Sequence, residues 1–216
     1  TPLTSMYEGL NLLQQGMAGA LSPRQSEIVN IMRGSAQAMA SKIENLLMVR
    51  SSALRDTPVE LRPMDLRQLI ASVVSHHQLS VHTKGLTVDI EGPKLRINGD
   101  RSKLRIVIDN LLSNAIRFSP QDGRILFELS TNDSRVRVAI NDEGPGIPAK
   151  NASRIFDSGY RTSTSGQPKQ AVAGSGVGLS VAREFVLAHG GRIQVDKSGS
   201  RLNRRGARIV IDLPVS

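Results

Sequence analysis

Two asparagines four residues apart begin the chemistry of this sequence. They lie in Asn110-Leu-Leu-Ser-Asn114-Ala-Ile-Arg117-Phe118, where the apolar spacing predicts a helix from Asp100 to Phe118. Residues i and i+4 share a helix face, so both amides point the same way and Arg117 extends the row. Asparagine is a poor residue for a helix interior. A pair on one face offers carbonyl oxygens to a hard cation, with a guanidinium ready for phosphate. Taken alone, the cluster reads equally well as an exposed polar face. A second cluster, Asp142-Glu-Gly144-Pro-Gly146-Ile147, directly follows a predicted strand. Its glycines let backbone approach a planar ligand, and a carboxylate at a strand end can accept from an exocyclic amine; an acidic turn is the plain alternative. A third, Arg154-Ile-Phe156-Asp-Ser-Gly-Tyr160-Arg161, can anchor a long polar stretch through its two aromatics and carry Arg161 to a terminal phosphate, or simply place two satellite aromatics on the surface. The fourth, Gly174-Ser175-Gly176-Val177-Gly178-Leu179, opens a predicted helix, where glycines and free N–H groups form a phosphate cradle. It has neither the G-K-[ST] ending of a Walker A loop nor the first-strand context of a dinucleotide fingerprint.

The elements that must position these clusters fall into two parts. In residues 1–52 the apolar positions Leu3, Met6, Leu10, Leu13 and Met17 are spaced 3-4-3-4, the seam of a bundle helix. Gly16 and Gly19 weaken it. Ser22-Pro23-Arg24-Gln25 then restarts a helix with a capping residue, a proline at the first helical position and a capping-box glutamine. Ile28, Met32, Met39, Ile43 and Leu46 continue at helical spacing, with small Ser35 and Ala36 between. Two antiparallel helices cannot bury both stripes alone, so a four-helix bundle in a dimer is expected, with a hairpin packed on the remaining domain as the alternative. Residues 53–63, with Pro58 and Pro63, read as a linker. Residues 64–216 read as a mixed α/β domain. A helix is expected from Asp65 to about His82, strands at Leu86–Ile90, Leu95–Ile97, Ile125–Ser130 and Val136–Asn141, a helix over Ser180–His189 ended by Gly190-Gly191, and strands at Ile193–Val195 and Ala207–Leu213. The polar stretch Pro148–Ala173 is long for a compact domain and is expected to be functional or mobile.

Composition narrows the options. The 216 residues contain no cysteine, which removes disulfides, thiolate nucleophiles and cysteine-ligated zinc. Lys plus Arg number 28 against 19 Asp plus Glu, a formal charge of +9 that suits an anionic partner. Aromatics are only 3%, with no Trp, so a base-stacking platform and hence a specific nucleic-acid module are disfavoured. The densest basic run, Arg201, Arg204, Arg205 and Arg208, reads as a solvated loop and strand. No apolar run approaches the ~18 residues of a membrane span, and no secretory leader is visible.

The order of the four clusters is more specific than any one of them, and it resembles bacterial sensor histidine kinases of two-component systems. Asn110–Phe118 is similar to their asparagine box, Asp142–Ile147 to the first glycine box, Arg154–Arg161 to the phenylalanine box and Gly174–Leu179 to the second glycine box. Thr1-Pro2-Leu3-Thr4-Ser5 resembles the tail of the family's histidine signature. The resemblance implies an α+β architecture. An N-terminal antiparallel hairpin precedes an α/β sandwich that binds ATP and Mg²⁺ under a mobile lid. Asp142 would accept the adenine amine, and Gly144, Gly146 and Ile147 would shape the base pocket. Asn114 would be the principal Mg²⁺ ligand, supported by Asn110. Arg117, where the family usually has Lys, would touch phosphate, and Phe118 would lie near base or ribose. Gly174, Ser175, Gly176, Val177, Gly178 and Leu179 would hold the phosphates and hinge the lid, and Arg161 would meet the γ-phosphate. Thr1 matches a threonine that serves dephosphorylation of the regulator. The family's acceptor histidine would fall four residues before Thr1. The histidines present, His76, His77, His82 and His189, lie elsewhere, so these residues are expected not to autophosphorylate. The expected partners are a second copy and a response-regulator receiver domain. The expected setting is the cytoplasmic side of an inner-membrane protein whose membrane parts lie upstream.

Related superfamily ATPases carry a glutamate at the place of Asn110, which activates water. An amide cannot take that proton, so transfer to a delivered nucleophile is favoured over hydrolysis. A serine kinase or anti-sigma switch with the same ATP fold is the runner-up, and the expected hairpin argues against it. A conformational ATPase clamp is opposed by Asn110, and a basic nucleic-acid-binding module would need a steep salt dependence of DNA affinity.

Overall fold

The structure is a computed structural model. It describes residues 9–10, 12–14, 16–17, 19–50, 58–132, 134–160, 177–196, 198–203 and 205–215, with backbone alone at 37, 38 and 40–50. The chain divides into two compact units, residues 1–51 and 52–216.

In the first unit helix α1 spans Pro23–Arg50. It starts where the capping box was expected. Ser22 Oγ accepts from the Gln25 N–H at 3.3 Å, and the Ser22 N–H donates to Gln25 Oε1 at 2.8 Å. Residues 9–10 and 12–14 are also helical, and Leu10 is buried with Val29 and Ala36, flanked by Leu13 and Leu21. The buried residues of α1 are therefore Val29 and Ala36, the first of them one position beyond the expected Ile28. Ile28, Met32 and Met39 are instead exposed, together with Ile31. Met17 lies in a turn after Gly16 and is exposed, so the first seam ends before it. Leu3, Met6, Ile43 and Leu46 lie outside the residues whose side chains are described. Among the described residues no helix is long and apolar enough to cross a membrane.

The second unit is α+β. Strand β1 (Arg62–Asp65) pairs antiparallel with β3 (Arg96–Gly99). The main sheet has the order β2-β4-β5-β7-β6, with β2 at Thr87–Glu91, β4 at Arg124–Thr131, β5 at Arg135–Asp142, β6 at Arg192–Val195 and β7 at Arg208–Pro214. Only β2 and β4 run parallel; the other neighbours are antiparallel, which makes the sheet mixed. Helices α2 (Leu66–His76), α4 (Arg101–Phe118) and α5 (Gly178–Ala188) form one layer that touches β2, β5 and β6. Between the layers lie Phe127, Ile125, Leu69, Ile70, Val107 and Leu112, all essentially sealed from solvent. Asp65 caps α2 through the Gln68 N–H, and Asp100 caps α4 through Ser102 and Lys103.

Three expectations need correction. The helix from Asp65 is interrupted at His77, and a short α3 (Gln78–Thr83) follows it. The break coincides with a 2.8 Å contact between His77 Nε2 and the Asp109 carboxylate on α4. The end of the expected linker is strand β1, whose four residues include Pro63 and lack the alternation that marks a strand. The basic run near the C-terminus is not simply solvated. Arg201 and Arg208 both pair with Glu128 on β4, and Arg208 also lies 3.1 Å from Asp196. Asn141, fully buried, donates to Glu128 at 2.7 Å and accepts from the Arg201 N–H and from Arg208, each at 3.0 Å.

Burial alone would raise the Glu128 carboxyl. Hydrogen bonds from Arg201 and Asn141 and the charges of Arg208 and Arg201 outweigh it and hold the group below its ordinary value. A depressed carboxyl contributes stability that is present above its unfolded value and is lost as pH falls through the folded one. Glu128→Gln is expected to lower stability by about 2 kcal/mol at pH 7. Denaturant melts of the two proteins should converge as the pH is taken below the ordinary carboxylate range.

Candidate nucleotide site

Helix α4 is the spine along which the predicted residues are arranged. Asn110 is buried, and its Nδ2 donates to the Ile106 carbonyl at 3.0 Å. That bond fixes the amide, and the Oδ1 points at Gly178, where even a Cβ would overlap it. Gly178 begins α5, and Val177 at its cap offers no side-chain acceptor to the first-turn N–H groups. One cluster thus meets another through backbone, as a phosphate cradle requires. Asn114 lies one turn further along and is half-buried; its Oδ1 accepts from Arg117 Nη2 at 3.1 Å. Arg117 also sits over the Phe118 ring, 4.3 Å from its centroid. Lys84, not singled out by sequence, donates to the Ile116 and Arg117 carbonyls at 2.6 and 3.0 Å, and burial lowers its pKa. Its ammonium closes the C-terminal end of α4, where a cation suits the helix dipole.

The far end of the spine carries Asp142. The carboxylate is buried at the end of β5, and Oδ1 accepts the N–H groups of Gly144 at 2.8 Å and Ala207 at 3.0 Å. Among the described residues none donates to Oδ2. Burial raises the Asp142 pKa, opposed by those two backbone bonds. Gly144 abuts the end of α4, since a Cβ there would stand 2.8 Å from the Phe118 carbonyl. Gly146, at φ +74, packs on the Arg205 carbonyl, and Gly206 packs on the Asp142 carbonyl. Both glycines of the first box are therefore required by protein–protein packing. The loop containing Gly206 and Ala207 is a wall of the site that the sequence did not announce. A glycine that follows two arginines resembles any turn, and Ala207 acts through its backbone alone.

Ile147 is half-buried at the mouth of this loop. Phe156 and Ile155 are buried in a 3₁₀ turn, Arg154–Phe156, that packs against α5. Tyr160 donates to Asn151 at 2.9 Å and lies under Arg154. The expected anchoring aromatics thus join the 3₁₀ turns of Ala149–Phe156 to the body of the unit. Val177 is buried and Leu179 half-buried at the start of α5. Arg161, Gly174, Ser175, Gly176 and Thr1 lie outside the described residues. His189 is buried, and its Nε2 accepts the backbone N–H of Asp100 at 3.0 Å.

The donors suit a magnesium–nucleotide complex. The two asparagine carbonyl oxygens are hard, neutral ligands, and Asn110 Oδ1 already faces the helix N-terminus where phosphates would be held. From Asn110 to Phe118 the helix advances about 12 Å. The predicted residues are thus strung along an elongated line, with the Asp142 carboxylate at one end and the Asn110–Gly178 contact at the other.

A fold of this kind, with an acid at the end of β5 and paired amides on the helix beside it, defines a nucleotide-binding module. The chain belongs to the family described as histidine kinase-, DNA gyrase B- and HSP90-like ATPases, which it matches over residues 99–216. Within that family its relatives are bacterial sensor histidine kinases. It is 35% identical to the sensor histidine kinase GlrK of Escherichia coli K12 over all of its own length and 44% of that protein. It is 28% identical to the sensor protein kinase WalK of Staphylococcus aureus over 99% of its length and 50% of that protein. The chain thus spans half or less of the length of these relatives. Among solved structures it is similar to full-length ShkA in complex with AMPPNP, with a TM-score of 0.70 and 26% identity over all of this chain and 43% of that one. It is also similar to the mycobacterial sensor histidine kinase MprB, with a TM-score of 0.60 and 28% identity over 71% of this chain and 97% of that one.

Because Asp142 has a raised carboxyl, its ionised form costs stability above the folded pKa. The cost is relieved as pH falls through that value toward the unfolded one. Asp142→Asn keeps an Oδ1 acceptor for both backbone N–H groups. It is expected to raise Tm at pH 7.5 by about 2–4 °C, and the gain should disappear toward pH 4. Calorimetric melts across that range check it.

Proposed function

We propose that the chain is the dimerisation and ATP-binding part of a sensor histidine kinase. The observation that carries this is the pairing, along one helix, of a buried amine acceptor at Asp142 with the asparagine–glycine contact at Asn110 and Gly178. In this reading adenine sits against Asp142, Gly144, Gly146 and Ile147, with Phe118 beside base or ribose. The triphosphate lies at Gly174–Leu179, with Arg117 on phosphate. Asn114, supported by Asn110, holds Mg²⁺, whose bound charge would help neutralise the phosphates; Arg117 then releases the Asn114 oxygen that it now contacts. Residues 148–173 act as the lid, and Arg161 meets the γ-phosphate. ShkA was solved with AMPPNP, which supports a nucleotide in this fold.

The γ-phosphoryl group passes to a histidine and then to an aspartate of a response regulator. His76, His77 and His82 sit on α2, α3 and their junction, and His189 is buried, so the acceptor is supplied from outside these 216 residues. Thr1 takes the dephosphorylating role in the intact protein. Residues 1–52 form an antiparallel hairpin, a reading supported by Gln14, which donates to Asn30 at 2.5 Å and accepts from Arg33 at 2.6 Å across the chain reversal. Exposed Ile28, Ile31, Met32 and Met39 give α1 a second apolar face, and a second copy covers it in a four-helix bundle. The receiver domain docks on the same hairpin. ThkA, a fold relative at 20% identity with a TM-score of 0.67, covering 99% of this chain and 58% of that one, was solved in complex with the response regulator TrrA.

Calorimetric titration should give Mg-ATP binding with preference over Mg-GTP, weakened at least tenfold (roughly the value of a hydrogen bond to a charged group) in Asp142→Ala. With the native upstream sequence present, labelled ATP should leave acid-labile label on the protein, absent from the same variant. A wild-type chain that binds no Mg-ATP would sink the reading. Sustained ATP turnover without labelling would move it to a conformational ATPase.

A further inference from the structure

The two helices that build the phosphate end are tied together twice. At one end the backbone of Gly178 of α5 abuts the side-chain amide of Asn110 of α4. At the other end His189, just past α5, reaches the residue that caps α4. Its Nδ1 lies 2.6 Å from the Phe185 carbonyl, and its Nε2 lies 3.0 Å from the Asp100 backbone nitrogen. A carbonyl can only accept and an amide N–H can only donate. The proton is therefore on Nδ1, and Nε2 is bare. The side chain is buried at 7% exposure, so neither bond is exchanged with water at low cost.

The backbone behind His189 is fixed as well. Gly190, at φ +66, and Gly191 return hydrogen bonds to Leu187 and Val186, and a Cβ on Gly191 would stand 2.7 Å from the Asp212 carbonyl on β7. Asp100, in turn, holds Ser102 and Lys103 by their N–H groups and the Lys103 ammonium at 2.9 Å. The imidazole thus bridges a part anchored to the sheet and the first turn of α4. Asp100 to Asn110 and Gly178 to His189 both cover about 15 Å of helix. The helices lie antiparallel, so a slip at the His189 end is transmitted along α5 to the Gly178–Asn110 contact.

We propose that His189 is a positioning residue for the Mg-triphosphate half of the site, acting as a neutral imidazole latch that sets the lengthwise register of α5 on α4. It touches neither nucleotide nor metal. Its effect is confined to the distance between the α5 N-terminus and the asparagine amides, and the adenine end at Asp142 is independent of it. This rests on the nucleotide reading above.

Two substitutions separate the latch from plain packing. A glutamine Oε1 can take the place of Nε2 as acceptor for Asp100, whereas an asparagine reproduces only the Nδ1 donor. In the full chain, His189→Asn should weaken Mg-ATP binding about tenfold, and His189→Gln should stay within about threefold of wild type. Both should bind Mg-free ADP as wild type does. Nitrogen-15 NMR of the wild-type imidazole should show Nδ1 protonated and Nε2 bare, and the Asp100 amide should exchange slowly in wild type and the Gln variant and fast in the Asn variant. Equal Mg-ATP losses in the two variants, an Asn variant that binds Mg-ATP normally, a parallel loss of Mg-free ADP, or an Nε2-protonated ring would each overturn the proposal. If wild type binds no nucleotide, the kinase reading falls, and with it the positioning role. The tautomer and the Asp100 exchange then still report whether the hydrogen-bond latch exists.

Discussion

A carboxylate buried at the end of a central strand is the constraint around which this unit is organised. Taking Asp142 out of water is unfavourable, and the fold offsets the cost with two backbone donors on one oxygen. Those donors come from different places, the turn after β5 and the loop before β7. The loop must therefore be held against the strand. The hydrogen bonds of Asn141 and the pairs of Glu128 with Arg201 and Arg208 do that from the face of the sheet opposite the helices. Gly146 and Gly206 allow the two backbones to approach to a separation that a Cβ would forbid. Among the described residues none donates to the second carboxylate oxygen.

The other end of the site follows a different logic. Here the ligand groups are neutral, and their positions are set by helix packing. Helix α4 is capped at its start by Asp100 and closed at its end by Lys84, so its ends are satisfied before any ligand arrives. Asn110 turns one amide hydrogen back to Ile106, which leaves its oxygen as the group presented to α5. The two ends of the site are therefore stabilised independently, by charge and backbone donors at Asp142 and by helix register at Asn110. Changes at one end need not propagate to the other.

Much of this arrangement could be read in the residues. The capping box at Ser22, the cap at Asp100 and the glycine stop after His189 depend on local chemistry, which sequence displays directly. The same holds for Asn110, Asp142 and Gly178, whose types are odd for their elements. The expectations that failed depend on partners distant in sequence. The break at His77 coincides with a contact to Asp109, 32 residues away, and β1 exists because β3 lies beside it. The buried stripe of α1 fell on Val29 and Ala36 because the larger apolar residues Ile28 and Met32 sit on a face that these contacts do not cover. Ala207 and Gly206 were illegible for a further reason: their contribution is made by backbone N–H and by the lack of a side chain, neither of which leaves a compositional trace.

The chemistry at residue 110 is fixed by what an amide cannot do. The position is buried, so a carboxylate there would be desolvated and its pKa driven up toward the range of a useful base for water. Asparagine keeps the size and the metal-binding oxygen and removes the basicity. Its Nδ2 is committed to Ile106, so it cannot turn to orient a water with that group without giving up a bond in a buried place. On the proposed reading, a site built this way would bind and align a triphosphate while leaving water unactivated. On the reading proposed above, phosphoryl transfer would depend on a nucleophile that is already competent when it arrives, and neutral imidazole, with a lone pair free at neutral pH, would meet that condition where water does not.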